Sequence, residues 1–193
     1  MISIRQEKRA DIPAREALLD AAMGPGRFAK ASERLREGRM PASGLSFVAT
    51  ENGRVIGTVR LWHVNAGPKR PALLLGPLAV AADARGCGVG SALVQHALEQ
   101  AIRSAAGAVL LVGDAPYYGR FGFSSEKTGA LWLPGPYEKH RLLGCELVPG
   151  ALGGATGLIG AGGRPEPKPK LSDLIAGLRQ TGRTRAATAQ QAA

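Results

Sequence analysis

The strongest constraint on this chain is the order of elements between residues 72 and 112. Ala72 to Val80 (ALLLGPLAV) is almost wholly apolar, so positions of both parities avoid water. A strand written this way is a central one, covered on both faces. After a short loop, Leu93, Val94, Ala97, Leu98, Ala101 and Ile102 recur at helical spacing within a stretch from about Val89 to Ala105. That spacing makes one continuous apolar stripe. Gly107 then precedes Val109 to Val112, a second buried strand. Strand, helix and strand in this order form a βαβ unit with a right-handed crossover and a parallel pair. Gly76-Pro77 interrupts the first strand. Proline donates no ladder hydrogen bond, so the pair is expected to carry a bulge or a local splaying.

The flanking sequence supplies antiparallel partners. Leu45–Thr50 and Arg54–His63 read as strands, and Asn52-Gly53 between them favours a type I′ hairpin. Residues 2–5 suit a short first strand. Asp11 suits a helix N-cap before Ala14–Met23, which Gly24-Pro25-Gly26 stops. Phe28–Arg36 reads as a second, charged helix, and Pro116–Arg120 as one helical turn. Phe121–Phe123 and Leu142–Val148 read as closing strands, and Gly150–Gly163 as loop. The expected organisation is an α/β (α+β) domain over 1–163. A Pro/Lys-rich linker (RPEPKPK) and a basic tail follow over 164–193, read as a solvated extension, with docking of Leu171, Leu174, Ile175 and Leu178 on a partner or a second subunit as the alternative.

Composition narrows the functional classes. The net charge of +10 is spread along the 193 residues rather than gathered in a stripe. Spread basicity suits an anionic ligand better than a nucleic-acid surface, and aromatics at 5% leave little for base stacking. No run approaches the ~20 apolar residues of a membrane span. Cys87 and Cys145 are too few for a disulfide framework or a thiolate zinc site, and His63, His96 and His140 have no ligand spacing. Two free thiols without an apolar leader point to the cytoplasm.

The chemistry concentrates at Arg85-Gly86-Cys87-Gly88-Val89-Gly90-Ser91, at the mouth of the amphipathic helix. The first amides of a helix have no internal partner, and with the helix dipole they suit a phosphate or pyrophosphate. A Walker A loop would need a lysine followed by serine or threonine. A dinucleotide fingerprint would place its first glycine directly after the strand and end in glycine, whereas five residues intervene here and position 91 is serine. An R-x-x-G-x-G loop is met by Arg85, Gly88 and Gly90. A plain glycine-rich turn has the same composition, so the loop alone leaves the matter open.

A second segment follows the next strand: Gly113-Asp114-Ala115-Pro116-Tyr117-Tyr118-Gly119-Arg120-Phe121-Gly122-Phe123. Together the two resemble the GNAT superfamily of N-acetyltransferases. That family pairs R-x-x-G-x-G with a downstream F/Y-Y-x-x-x-G-F, which Tyr117 to Phe123 match. The wording LGPLAV and GD-x-x-x-Y-x-R-F-G-F looks most like the YhbS-like branch, over roughly residues 2–160. The resemblance implies a mixed, mostly antiparallel sheet splayed between two central parallel strands and flanked by helices. It also implies acetyl-CoA as cosubstrate, no metal, and an amine acceptor attacked directly.

By the same resemblance, backbone groups of Leu78, Ala79 and Val80 would pair with the pantetheine arm, and Arg85, Gly86, Cys87, Gly88, Val89, Gly90 and Ser91 would hold the pyrophosphate. Asp114 would touch the ligand or cap the following turn. Tyr118 would protonate, or hydrogen-bond to, the departing sulfur. Tyr117, Phe121 and Phe123 read as core. A general base is not singled out: the strand 72–80 has no ionisable side chain, and Glu51, Glu126 and His140 are scattered in loops. The alternatives are a GNAT-fold module that senses acetyl-CoA without catalysis, and an acetyltransferase acting on RNA or protein. A homodimer is compatible with all three.

Overall fold

The computed structural model describes residues 1–167. The reading of a docking helix at Leu171–Leu178 lies outside them. A central sheet is built in the order β1 (Ile2–Gln6), β2 (Ser46–Glu51), β3 (Arg54–Asn65), β4 (Pro71–Val80), β5 (Ala108–Val112) and β7 (Leu142–Glu146). Only the β4–β5 contact is parallel along this path; every other neighbour is antiparallel. Helix α1 (Ile12–Met23) follows β1. Helix α2 (Val89–Arg103) makes the crossover from β4 to β5, and a single turn, α3 (Ala115–Tyr118), leaves β5.

Hydrophobic periodicity decides where the layers meet. Leu93, Val94, Ala97 and Ala101 of α2 are fully buried against Ile56, Val59, Leu61, Leu73, Leu75, Val109 and Leu111 of the sheet. Each buried leucine contributes roughly 1.5–3 kcal/mol. Gly57 lets α2 come this close, because a Cβ there would stand 2.8 Å from Leu93 Cδ1. The other sheet face buries Trp62, Val64, Leu74, Leu110 and Leu142 beneath Leu131 and Leu133. Alternate residues of β4 thus feed opposite cores, which explains its unbroken apolar run.

Helix α1 is seated by charge as much as by Leu19. Glu7 takes the guanidinium of Arg15 at 3.2 Å and also that of Arg60, which ties the helix to β3. Asp11 stands at the N-cap position of α1, but its carboxylate is turned away from that helix. It accepts from the Lys8 amide at 2.7 Å and from Arg5 at 2.7 and 2.8 Å, so it closes the preceding turn instead.

Several local readings are corrected. Phe28–Arg36 is not a helix; it is resolved into two 3-10 turns, Pro25–Ala29 and Glu33–Leu35. Of its apolar residues Phe28 stays exposed and only Ala31 and Leu35 are buried, too little packing to hold a short helix. Phe121–Phe123 is not a strand: Gly119–Phe121 is a 3-10 turn, ended by Gly122 at φ 86°. The stretch expected as loop holds β8 (Gly157–Leu158), paired with β6 (Leu131–Trp132), and β9 (Gly160–Ala161), paired with β3. Backbone pairing runs on past Gly163, since Met40 N donates to Arg164 O and Glu166 N to Gly38 O. Asn52 and Gly53 both have positive φ, as a type I′ turn requires. Among the described residues, no helix is long and apolar enough to cross a membrane.

Candidate active site

The site begins where β4 and β5 stop pairing. Their ladder contains only Leu73↔Val109 and Leu74↔Leu110. Beyond Leu74 the β5 side of β4 carries no ladder, while its other side remains paired with β3 through Leu78, Ala79 and Val80. The register of β3 against β4 slips between Val59 and Leu61, at the level of Gly76-Pro77. Gly76 has φ 134°, a conformation open to glycine and strained for other residues. The bulge is held from behind: the Trp62 indole N–H donates to Gly76 O at 2.6 Å, in a fully buried hydrogen bond. Nothing in the sequence around Trp62 signals this role.

At the far end of β4 the chain turns into α2. Gly86 and Gly88 have φ of 79° and 77°, and a Cβ on either would meet nothing within 4 Å. The glycines therefore serve the turn and leave the backbone exposed. Gly88 is the N-cap of α2, and among the described residues no side chain caps that end. The first amides of a fifteen-residue helix thus face outward, with Arg85 and Cys87 exposed beside them. Arg85 Nε donates to Val80 O at 3.4 Å, which draws the loop back to the strand end. Val89 is buried under the helix, and Gly90 and Ser91 are partly covered.

The aromatic segment closes the gap from the β5 side. Tyr118 stacks edge-on to Tyr117, with centroids 4.8 Å apart, and to Phe123, 5.9 Å apart. The Cδ2–Cε2 side of its ring lies against Gly113, where a Cβ would stand 2.2 Å from Cε2. Burial, and secondarily the neighbouring Tyr117, push the Tyr118 hydroxyl up to about 12, with Arg141 acting in the opposite direction. The group is therefore a neutral donor at any ordinary pH. Tyr117 does not behave as a core residue. It is half-buried, its hydroxyl reaches the first turn of α2 (3.0 Å from a Cβ built on Gly90), and the Arg120 guanidinium lies 4.1 Å above its ring. Phe123 is core as expected, while Phe121 is only partly covered.

Between these elements opens a cleft of about 760 Å³, lined on one side by Leu75, Gly76, Pro77 and Leu78 and on the other by Val112, Gly113, Asp114 and Tyr118. Lys30 and Arg36 enter it from the segment after α1, and Tyr137, Glu138 and Arg141 from the loop before β7. Of the sequence-derived candidates, Leu78, Asp114 and Tyr118 line the cleft directly. Arg85 to Ser91 lie at the other end of the same strand edge, joined to the cleft through Ala79 and Val80. Asp114 occupies the N-cap position of α3, where its carbonyl accepts the Tyr117 and Tyr118 amides at 3.0 Å. Its side chain makes no cap bond and stays exposed in the cleft. Glu51 lies in β2, Glu126 in a turn, and His140 is an exposed partner of Glu138 at 3.4 Å; none of the three lines the cleft. The residues that sequence reasoning missed are Arg36, Trp62, Glu138 and Arg141, all placed by tertiary packing.

A sheet opened between its parallel strands, with bare helix amides at one end and an aromatic hydroxyl at the other, is the framework of an acyltransferase of the GNAT type. Residues 42–125 match the Acetyltransferase (GNAT) domain model. The chain is 34% identical over 158 residues to the uncharacterized N-acetyltransferase YhbS of Escherichia coli K12, which covers 81% of this chain and 93% of that protein. Among solved structures, Escherichia coli YhbS in complex with CoA has a TM-score of 0.72 at 31% identity, covering 83% of this chain and 89% of that one. A GNAT family acetyltransferase from Brucella melitensis in complex with acetyl-CoA has a TM-score of 0.60 at 26% identity, covering 77% and 90%. This chain belongs to the GNAT family of N-acetyltransferases.

Proposed function

We propose that this enzyme binds acetyl-CoA in the opening between β4 and β5 and transfers the acetyl group to a primary amine within a ternary complex. The carrying observation is the two-pair β4–β5 ladder. It leaves the Leu78–Val80 edge unpaired, so an extended arm can add to β4 as a strand would. The uncapped, Cβ-free start of α2 suits the diphosphate at the end of that arm. Leu78, Ala79, Val80 and Arg85 to Ser91 are thus the proposed binding residues. The free thiols Cys87 and Cys145 favour a reducing compartment, the cytoplasm.

Acetyl-CoA supplies an acetyl group activated as a thioester; the acceptor nitrogen gains the C–N bond as the C–S bond breaks. The protein's part is to hold both reactants in attack geometry. Tyr118 then has a defined role. A thiol titrates at about 8.5, well below a phenol held at about 12, so full proton transfer from Tyr118 to the leaving sulfur is uphill. The hydroxyl instead donates a hydrogen bond to the sulfur as negative charge grows there. The proton that finally neutralises the thiolate is the one shed by the attacking amine. We assign its reception on the way to Asp114 and Glu138, the carboxylates that line the cleft, directly or through water.

Titration calorimetry with acetyl-CoA tests the binding step, and thiol release across an amine panel tests the transfer. Absence of binding at millimolar acetyl-CoA defeats the reading. Binding without thiol release from any amine would mark a sensor instead of an enzyme.

A further inference from the structure

The feature left over is Arg36. The sequence places it at the end of the stretch read as a second, charged helix. The structure buries it to 7% exposure against the cleft, just after the Glu33–Leu35 turn. Two other well-buried arginines set the comparison. Arg15 is held by Glu7 and Glu16, and Arg27 by Glu16 and Asp20. Arg36 has one carboxylate, Glu33, on Nη2 at 2.6 Å. Its Nε, like that of Arg15, is buried without a hydrogen-bond partner among the described residues, so the difference between the two is the second carboxylate that Arg15 has and Arg36 lacks. Its Nη1 stands 3.6 Å from a Cβ built on Gly76, at the bulge itself. A buried guanidinium with donors unmet is costly unless an anion completes it.

The other charges of the cleft agree. Lys30 joins Arg36 from the segment after α1, whereas Asp114, Glu138 and a third cation, Arg141, come from the chain beyond β5. The cleft thus offers groups of both signs, matching a ligand with charges of both signs. An acetyl group alone needs neither the cations nor the volume.

We propose that Arg36 selects acceptors that carry a carboxylate, and that the amine substrate is a free amino acid or a molecule of that type, its carboxylate on Arg36 and its amine beside the thioester. The inference rests on the transferase reading for the chemistry, but the anion site can be measured without turnover. A carboxylate could also enter on the acyl group, as in a dicarboxylic acyl thioester. The proposal takes the acceptor as the source, and the two acyl donors of the experiment separate the cases.

The experiment pairs free L-amino acids with their carboxamides, for example leucine with leucinamide, using acetyl-CoA and then succinyl-CoA. The free amino acid should be used at least about ten-fold better in kcat/KM, as expected for a buried charge-assisted pair. Arg36→Lys and Arg36→Met should lower that ratio by a similar factor, chiefly through KM. Calorimetry of the unliganded protein with N-acetyl-leucine and N-acetyl-leucinamide gives the readout independent of activity. The acid should bind at least about ten-fold tighter, and the preference should vanish in Arg36→Met. Equal or better use of carboxamides overturns the proposal, whether or not the variants fold. So does a folded Arg36→Lys protein with unchanged preference, or an Arg36-dependent preference for succinyl-CoA over acetyl-CoA. Failure of acetyl-CoA to bind would defeat the transferase reading alone; thiol release with neutral amines but no carboxylate preference would defeat this one alone.

Discussion

The Trp62 hydrogen bond gives a direct test of what holds the bulge in β4. Trp62→Phe keeps an aromatic ring in the same core but removes the N–H that Gly76 O accepts at 2.6 Å. The bond contributes about 0.5–1.5 kcal/mol, and a buried carbonyl left without its donor adds about 1–3 kcal/mol. The lost part of the indole also leaves a small void, since Trp62 is only 8% exposed. The expected destabilisation is about 2–4 kcal/mol, read from urea denaturation with an unchanged slope. Trp132→Phe is the matched control. The same atoms are removed from a 54% exposed residue, and the loss should stay within about 0.5–1 kcal/mol. Because Gly76-Pro77 borders the cleft, Trp62→Phe should also weaken acetyl-CoA binding severalfold by calorimetry, while Trp132→Phe should not. If the two variants lose equal stability and bind acetyl-CoA alike, the bulge is not held by this bond.

Four further outcomes follow from the site and its surroundings. Tyr118→Phe should lower thiol release by about 10- to 100-fold with little change in acetyl-CoA affinity, as for loss of one donor to a developing charge; full activity would remove the hydroxyl from the reaction. With the Tyr118 pKa raised to about 12, stability owed to its neutral form is intact below about pH 10 and lost as pH rises through 12. The rate should accordingly show no tyrosine-derived alkaline limb below about pH 11. Gly113→Ala would set a methyl 2.2 Å from Tyr118 Cε2, so it should cost about 1–3 kcal/mol in stability and depress turnover by displacing the ring. Asp11, held at about 2 chiefly by its hydrogen bonds from Arg5, contributes stability that is intact above about pH 4 and lost as pH falls through 2. Asp11→Asn should flatten that part of the acid unfolding curve.

The parts legible in the sequence are those where a short-range pattern has one physical solution. The apolar run at 72–80 admits only a buried strand, the stripe at 93–102 only a helix packed on one side, and Asn52-Gly53 a tight hairpin. The Gly-Pro interruption pointed to a bulge because proline removes a donor wherever it sits. The family motif then fixed attention on Tyr118. Arg36 and Trp62 were illegible for the opposite reason. Their roles depend on Gly76, which is 40 residues from one and 14 from the other, and nothing local marks either side chain. Asp11 and Asp114 show a middle case. Both stand at N-cap positions, but the carboxylate of the first is drawn off by Arg5 and that of the second is left free. Position along the chain set the backbone there; long-range partners decided the side chain.

The brevity of the β4–β5 ladder has a mechanical consequence. Two residue pairs fasten one half of the sheet to the other, so the gap above them behaves as the mouth of a peg held at its spring. On the β4 side its rim is pinned by the Trp62–Gly76 hydrogen bond, and on the β5 side by the Tyr118 ring against Gly113. A change at either rim, outside the ladder itself, would retune the aperture through which both substrates meet.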